Sequence, residues 1–348
     1  MSNIGVISMG IKCPIIRKGD DLQRIIIDSI HRTTDLQEGD VIGITESIVA
    51  RSQGNYVTVD EIAKETDKLF GQNAEITLIN PIYSRNRFSM ILKGIARSAK
   101  RINIVMPDYD EVGNPRWTNP WTGVNIQKYY TEICKSENCS CLILDKLRFN
   151  YDINCLYCGL RPFELELSSI SNGHTLMDYF PNKCKWGLLG SNKADEETLK
   201  LFPDSNLAKN LVESIKAEIY EKLHISVHVM VYGDGCFKDP IAKIWEFADP
   251  VTSPAYTEGL DKSPNEIKLK AFADDKFKDL NGIELENAIK AEIKSKETDL
   301  KGEMASQGTT PRRFVDSLAS LMDLTSGSGD KGTPIVLVRN YFKNYGQD

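Results

Sequence analysis

Apolar and polar residues alternate from Ile225 to Tyr232. Val227, Val229 and Val231 fall on one side and His228, Met230 and Tyr232 on the other, which predicts a strand with one face on a core. The strand stops at Gly233-Asp234-Gly235, where two glycines permit a tight turn and leave a carboxylate at the strand end. Helical spacing of Leu22, Ile25, Ile26 and Ile30 behind Gly19-Asp20-Asp21 predicts a capped helix. The turn Glu38-Gly39-Asp40 leads into a strand over 41–45, and a mixed stretch over 48–59 runs into a helix through Ile62, Ala63, Leu69 and Phe70. A strand over 76–79, a helix over 88–99 and a strand over 102–106 continue in β-α-β rhythm. Further helices are expected over 126–134, 194–201, 207–223, 265–277 and 284–296, and one from Pro311 to about Leu324. Leu142-Ile143-Leu144 reads as a buried strand and 335–338 as a final one.

Composition adds limits to this pattern. The chain has 348 residues, 41% hydrophobic and 26% charged, and a net charge of −6. That is ordinary for a protein with a real core and argues against general nucleic-acid binding, which needs a basic excess. The sequence holds no apolar run long enough to span a membrane and no secretory pattern at its start, so a cytoplasmic protein is expected. Its eight cysteines are then reduced thiols rather than a disulfide framework.

Chemistry concentrates in a few stretches. Lys238, Asp239, Glu246 and Asp249 crowd the segment after Asp234. Tyr83-Ser84-Arg85-Asn86-Arg87 opens the helix over 88–99, where backbone amides and two guanidiniums suit an anion. Asp108, Asp110 and Glu111 lie in a long loop and read as solvated turn residues or as ligands for a hard cation. Cys139-Ser140-Cys141 and Cys155-Leu156-Tyr157-Cys158 are unmatched pairs around a buried strand, so no zinc is expected at them. Gly190-Ser191-Asn192-Lys193 is a second glycine-hinged polar turn. Near the carboxyl end, Thr309-Thr310-Pro311-Arg312-Arg313 precedes a helix, and Gly327-Ser328-Gly329-Asp330-Lys331-Gly332 follows it. The latter is not a P-loop, because helix precedes and strand follows, but its amides suit a phosphate nest.

Glycine turns with hydroxyls and cations, plus an acidic loop at a strand end, are the parts a metal–nucleotide site requires. At these residues the chain resembles the coenzyme F420-0:γ-glutamyl ligase family, in particular a branch from bacteria not known for making the coenzyme. The resemblance runs through Lys18-Gly19-Asp20-Asp21, Glu38-Gly39-Asp40-Val41, the stretches over 45–54 and 86–95, Gly190-Ser191-Asn192, Val231-Tyr232-Gly233-Asp234-Gly235 and the stretch over 326–334.

The resemblance implies an α+β, two-domain fold with a mixed, largely antiparallel sheet and an intertwined homodimer. It implies a reaction in which GTP or ATP phosphorylates a substrate carboxylate and the amine of L-glutamate attacks the acyl phosphate. The family requires Mg or Mn, and a monovalent cation such as K often helps. Asp234 matches the family's metal-binding aspartate, although Gly-Asp-Gly replaces the usual T-D-T-x-G-R. A second metal-ligating aspartate of the family falls on Leu189, so Asp239, Asp249 or Asp108 is expected to substitute. On this reading Asp234, Lys238, Glu246 and Arg312 are catalytic. Ser191, Asn192, Thr309, Thr310, Gly327, Ser328, Gly329, Lys331 and Gly332 hold the nucleotide, while Arg85, Arg87 and Arg313 bind carboxylates. The expected domains are 1–185 and 186–348. The acceptor is coenzyme F420-0 or a folate; the competing reading is a non-catalytic nucleotide-binding regulator.

Overall fold

The computed structural model describes residues 5–79, 85–106, 117–118, 123–144, 154–158, 172–234, 237–238, 245–246, 251–262, 269–295, 313–327, 329–343 and 346. In chain order, β1 (Ile7–Ile11), α1 (Leu22–His31), β2 (Val41–Thr45) and α2 (Glu46–Gln53) come first. Then follow β3 (Tyr56–Thr58), α3 (Val59–Phe70), β4 (Glu75–Ile79), α4 (Arg85–Ser98), β5 (Arg101–Val105), α5 (Ile126–Ser136), β6 (Ser140–Leu144), β7 (Asn154–Tyr157), β8 (Gly173–Thr175), β9 (Ser191–Lys193) and β10 (Thr198–Leu201). The chain ends with α6 (Ser205–Leu223), β11 (His228–Asp234), β12 (Phe237–Lys238), β13 (Trp245–Glu246), β14 (Val251–Tyr256), α7 (Leu269–Ala271), α8 (Gly282–Ser295), α9 (Phe314–Ser326) and β15 (Ile335–Arg339).

Contacts divide the chain into two compact units. The first is Met1–Ile16, Asp21–Val49 and Asn206–Asp348; the second is Arg17–Asp20 and Ala50–Ser205. The amino-terminal strand thus shares a core with the carboxyl-terminal segment, whereas the sequence suggests successive units 1–185 and 186–348.

The first unit holds a mixed sheet in the order β1-β15-β2-β11-β14, parallel between β2 and β11 and antiparallel elsewhere. Both faces are covered. Ile42, Ile44, Val229 and Val231 pack with residues of α1 and α6. Val41, Met230, Tyr232, Val336 and Val338 pack with Val315, Leu318 and Met322 of α9. The second face of β11 is therefore core as well, with Met230 and Tyr232 at 0% exposure. Asp21 caps α1 by accepting from the Arg24 amide at 3.1 Å, as its position predicts. Asp40, at the start of β2, takes a two-pronged contact from Arg339 at 3.1 and 2.9 Å, which ties β15 to β2. Edge strand β14 carries Pro254, a residue tolerated where no outer neighbour needs an amide.

The first unit's sheet is thus mixed and largely antiparallel, as expected, whereas in the second unit the sheet β6-β5-β4-β7-β8 is parallel throughout. Its order reverses between β4 and β7, so the carboxyl ends of those strands form a topological switch point. A small antiparallel sheet, β3-β10-β9, accompanies it. The helix expected over 194–201 is instead the β9–β10 hairpin: Leu199 and Leu201 enter the core while Lys200 between them points the other way. The helix expected over 265–277 is described only as α7 and a π-helical turn, Phe272–Lys276.

Candidate functional site

Parallel pairing of β2 with β11 sets Thr45 beside Tyr232, so both strands finish at one end of the first unit's sheet. β14 begins there, since Val251 pairs with Asp234, and the β12–β13 ribbon extends outward from the same hairpin. Lys238 and Glu246 lie on that ribbon, opposite Trp245 and Phe237 respectively. The backbone therefore brings Asp234, Lys238 and Glu246 to one sheet end; their side chains lie outside the described residues.

β15 starts at this same end, because Ile335 pairs with Ile44. The loop between α9 and β15 is fixed there by three bonds. The Thr45 amide donates to the Pro334 carbonyl at 2.9 Å, the Cys13 amide to Gly332 at 3.1 Å, and the Thr333 hydroxyl to Ser326 at 3.0 Å. Gly327 closes α9 at φ 62°, a conformation side chains rarely adopt, and the Lys331 ammonium folds back over it. Gly327, Gly329, Lys331 and Gly332 thus share the sheet end with Asp234.

A residue the sequence reading passed over sits at the centre of this end. Glu46 directly follows β2 and is 4% exposed. Its side chain lies flat on Gly233: a Cβ there would come 2.0 Å from Glu46 Cγ. A carboxylate so deeply placed needs a cation or hydrogen-bond donors around it, since burial alone would cost several kcal/mol. Beside it, the Thr45 hydroxyl is buried with no hydrogen-bond partner among the described residues. Only the burial of Glu46 distinguishes it from a surface glutamate, and burial is not readable from helix-start composition.

The second unit builds a separate polar turn. Arg87, in the first turn of α4, donates to the Leu189 carbonyl at 3.2 Å and the Ser191 carbonyl at 3.4 Å. The Ser191 hydroxyl is committed to Leu188 at 2.7 Å, and the Phe202 amide donates to Gly190 at 2.7 Å. A Cβ on Gly190 would meet Trp186 at 2.8 Å and Phe202 at 3.0 Å, so the turn admits no side chain there. Leu189, where the family's acid was sought, packs on the hydrophobic core. This rigid turn presents Asn192 in register with Lys200, which is in register with Tyr56 on β3. Neighbours in register point to the same side, so Tyr56, Lys200 and Asn192 form a row roughly 10 Å long on the face turned from the core. Lys200 is 7% exposed, an uncommon state for lysine.

Other expected residues fall elsewhere. Arg313 precedes α9 and holds Asp316 at 2.8 and 3.0 Å. It stands about 20 Å along the helix from Gly327, at 1.5 Å per residue, and does not join Asp234. Arg85 opens α4, but its side chain lies outside the described residues, as do Asp108, Asp239, Asp249, Thr309, Thr310, Arg312 and Ser328. The cysteine pairs are separated in the sheet: β6 and β7 have β5 and β4 between them. At about 4.8 Å per strand that is roughly 14 Å, too far for one metal to bind all four thiols. Among the described residues no helix is long and apolar enough to cross a membrane.

Comparison with known proteins gives two matches. The model of the family described as F420-0:Gamma-glutamyl ligase matches residues 10–340. A 70-residue stretch is 36% identical to the coenzyme F420:L-glutamate ligase of Methanothermobacter thermautotrophicus, covering 20% of this chain and 26% of that protein.

Proposed function

From the premise that this chain belongs to the F420-0:γ-glutamyl ligase family, we propose that it joins L-glutamate to a carboxylate-bearing acceptor, using GTP or ATP to form an acyl phosphate. The observation that carries the reading is the meeting of Gly233-Asp234, Glu46 and the Gly327–Gly332 loop at one sheet end. Amides and an ammonium on one side and carboxylates on the other are what a metal-bridged triphosphate demands.

In this proposal Asp234 and Glu46 hold a divalent ion, Mg or Mn, whose chemistry would be to neutralise and orient the nucleotide phosphates. Lys331 and the loop amides stabilise charge on the transferred phosphoryl group, the effect that usually contributes most to such reactions. Lys238 adds a cation from the β12–β13 ribbon, and Glu246 accepts the proton of the attacking ammonium. Within the second unit, Lys200 and Asn192 offer a contact for an anion, and Arg87 serves to hold the turn that carries Asn192.

The apolar packing of Leu189 favours one alternative, a nucleotide-binding regulator without turnover. Incubation of the protein with GTP or ATP, Mn, L-glutamate and either F420-0 or a folate separates the two. The ligase reading expects phosphate release that depends on acceptor; binding of nucleotide without release under every condition would leave the regulator.

A further inference from the structure

An asparagine followed by glycine can react without an enzyme, because glycine has no Cβ to shield its amide nitrogen from the neighbouring side chain. The sequence holds two such pairs, Asn172-Gly173 and Asn281-Gly282, and their surroundings are opposite.

Asn172 is locked in place. Its Nδ2 donates to Asn154 Oδ1 at 2.7 Å, its Oδ1 lies 3.0 Å from His174 Nε2, and its backbone carbonyl accepts from the Cys155 amide at 3.1 Å. Asn154 is held in turn, donating to the Glu75 carbonyl at 3.2 Å. Gly173 follows within β8, in register with Cys155. For the Gly173 nitrogen to reach the Asn172 side chain, that amide must leave both partners and the sheet edge must open.

Asn281 has no such restraint. It precedes α8 on an exposed turn, and Gly282 is exposed beside it. The Asn281 side chain takes part in no hydrogen bond among the described residues. Gly282 has φ 55°, and beyond its chain neighbours no atom lies within 4 Å of where its Cβ would be, so nothing crowds the approach. It is also the first residue of α8, and the first four amides of a helix have no partner within it. The helix itself is anchored: Ile289 is buried and Glu292 holds Lys276 at 2.6 Å. The pair is thus an open turn on a fixed element.

We propose that Asn281 is a spontaneous modification site, converted through a cyclic imide into aspartate and isoaspartate. The deprotonated Gly282 nitrogen attacks the side-chain carbonyl carbon of Asn281. The new C–N bond closes a succinimide ring, and the side-chain nitrogen leaves as ammonia. Water then opens the ring at either carbonyl; one route gives aspartate, the other an isoaspartyl link in which the backbone runs through the side chain. Either product places a negative charge at the start of α8, where the helix dipole favours it. The isoaspartyl route also turns the carbonyl that accepts from the Leu285 amide at 3.5 Å into part of a free carboxylate. The inference does not rest on the ligase reading.

The test incubates the full-length protein in mildly alkaline buffer made with oxygen-18 water and maps the peptides by mass spectrometry over several days, with an isoaspartate methyltransferase marking the isoaspartyl form. Label is expected in both products at Asn281, at a rate that rises with pH, while Asn172 in the same samples reacts at least about tenfold more slowly. In guanidinium chloride the two sites should react at similar rates, since only the folded structure separates them. Gly282→Ala should slow the reaction at Asn281 and Asn281→Gln should abolish it, both changes lying on an exposed turn. An Asn281 that stays intact in the folded protein, or an Asn172 that reacts as fast before unfolding, would overturn the proposal.

Discussion

Replacing Gly233 by alanine tests the packing on which the candidate site is built. The added methyl would lie 2.0 Å from Glu46 Cγ, 2.8 Å from its Cβ and 3.3 Å from its Cδ. Carbon atoms in contact prefer about 3.5–4.0 Å, so the shortfall exceeds an ångström and Glu46 must move. At 4% exposure it cannot simply swing out into solvent from where it lies. Overpacking of this kind costs about 1–3 kcal/mol, and the displaced carboxylate would leave the sheet end beside Asp234. Glu46→Ala removes Cγ and Cδ and leaves only the Cβ, 2.8 Å away, so the double variant should recover a large part of the stability that Gly233→Ala loses. A coupling of about 1–3 kcal/mol is expected from urea unfolding of the two single variants and the double. Ligase activity should not return, because the acid is gone. Additive effects within about 0.5 kcal/mol would refute the reasoning that these two residues press on each other.

Three further outcomes follow from other parts of the molecule. Lys200→Met should weaken binding of GTP, ATP or L-glutamate about 10- to 100-fold by calorimetry, the worth of a charge-assisted hydrogen bond; unchanged affinity for all three would rule out an anion contact. Asp40→Asn leaves the mostly buried Arg339 guanidinium facing a neutral partner and should cost about 3–5 kcal/mol in urea unfolding, with a loss under 1 kcal/mol contradicting this. Burial, with nearby Lys216, lowers the pKa of His228 from its ordinary 6.5. The unfolded chain then binds that proton first, so the contribution is present above pH 6.5 and is lost as pH falls below it. Melting temperatures between pH 7.5 and 5 should show this loss in the native protein and a shallower one in His228→Gln; equal slopes would count against it.

Much of the fold was legible because it rests on long periodic runs. The alternation around Val229, the helical spacing from Leu22 to Ile30 and the β-α-β rhythm from Ile76 to Met106 all correspond to observed elements. The β9–β10 hairpin was not, because strands of three and four residues give no period, and acids at 195–197 imitate the first turn of a helix. Lys200 and Glu46 escaped notice for a related reason. A charged side chain looks solvated in sequence, and only register and packing reveal that these two are buried. Ser191, expected from sequence to contact the nucleotide, donates its hydroxyl to Leu188 within its own turn, a bond that sequence does not reveal. Motif residues such as Asp21 and Asp40 likewise turn out to cap a helix and tie strands together.

The central claim is that the end of the β2–β11 pair operates as a metal–nucleotide site for ligation. Its most direct measurement is acceptor-dependent phosphate release with GTP or ATP, Mn, L-glutamate and F420-0 or folate, comparing the native protein with Asp234→Asn and Glu46→Gln. The account predicts a glutamylated product and stoichiometric phosphate from the native protein, and at least a hundredfold loss in each variant with the fold preserved. Ligation that continues at near-native rates in both variants would contradict it.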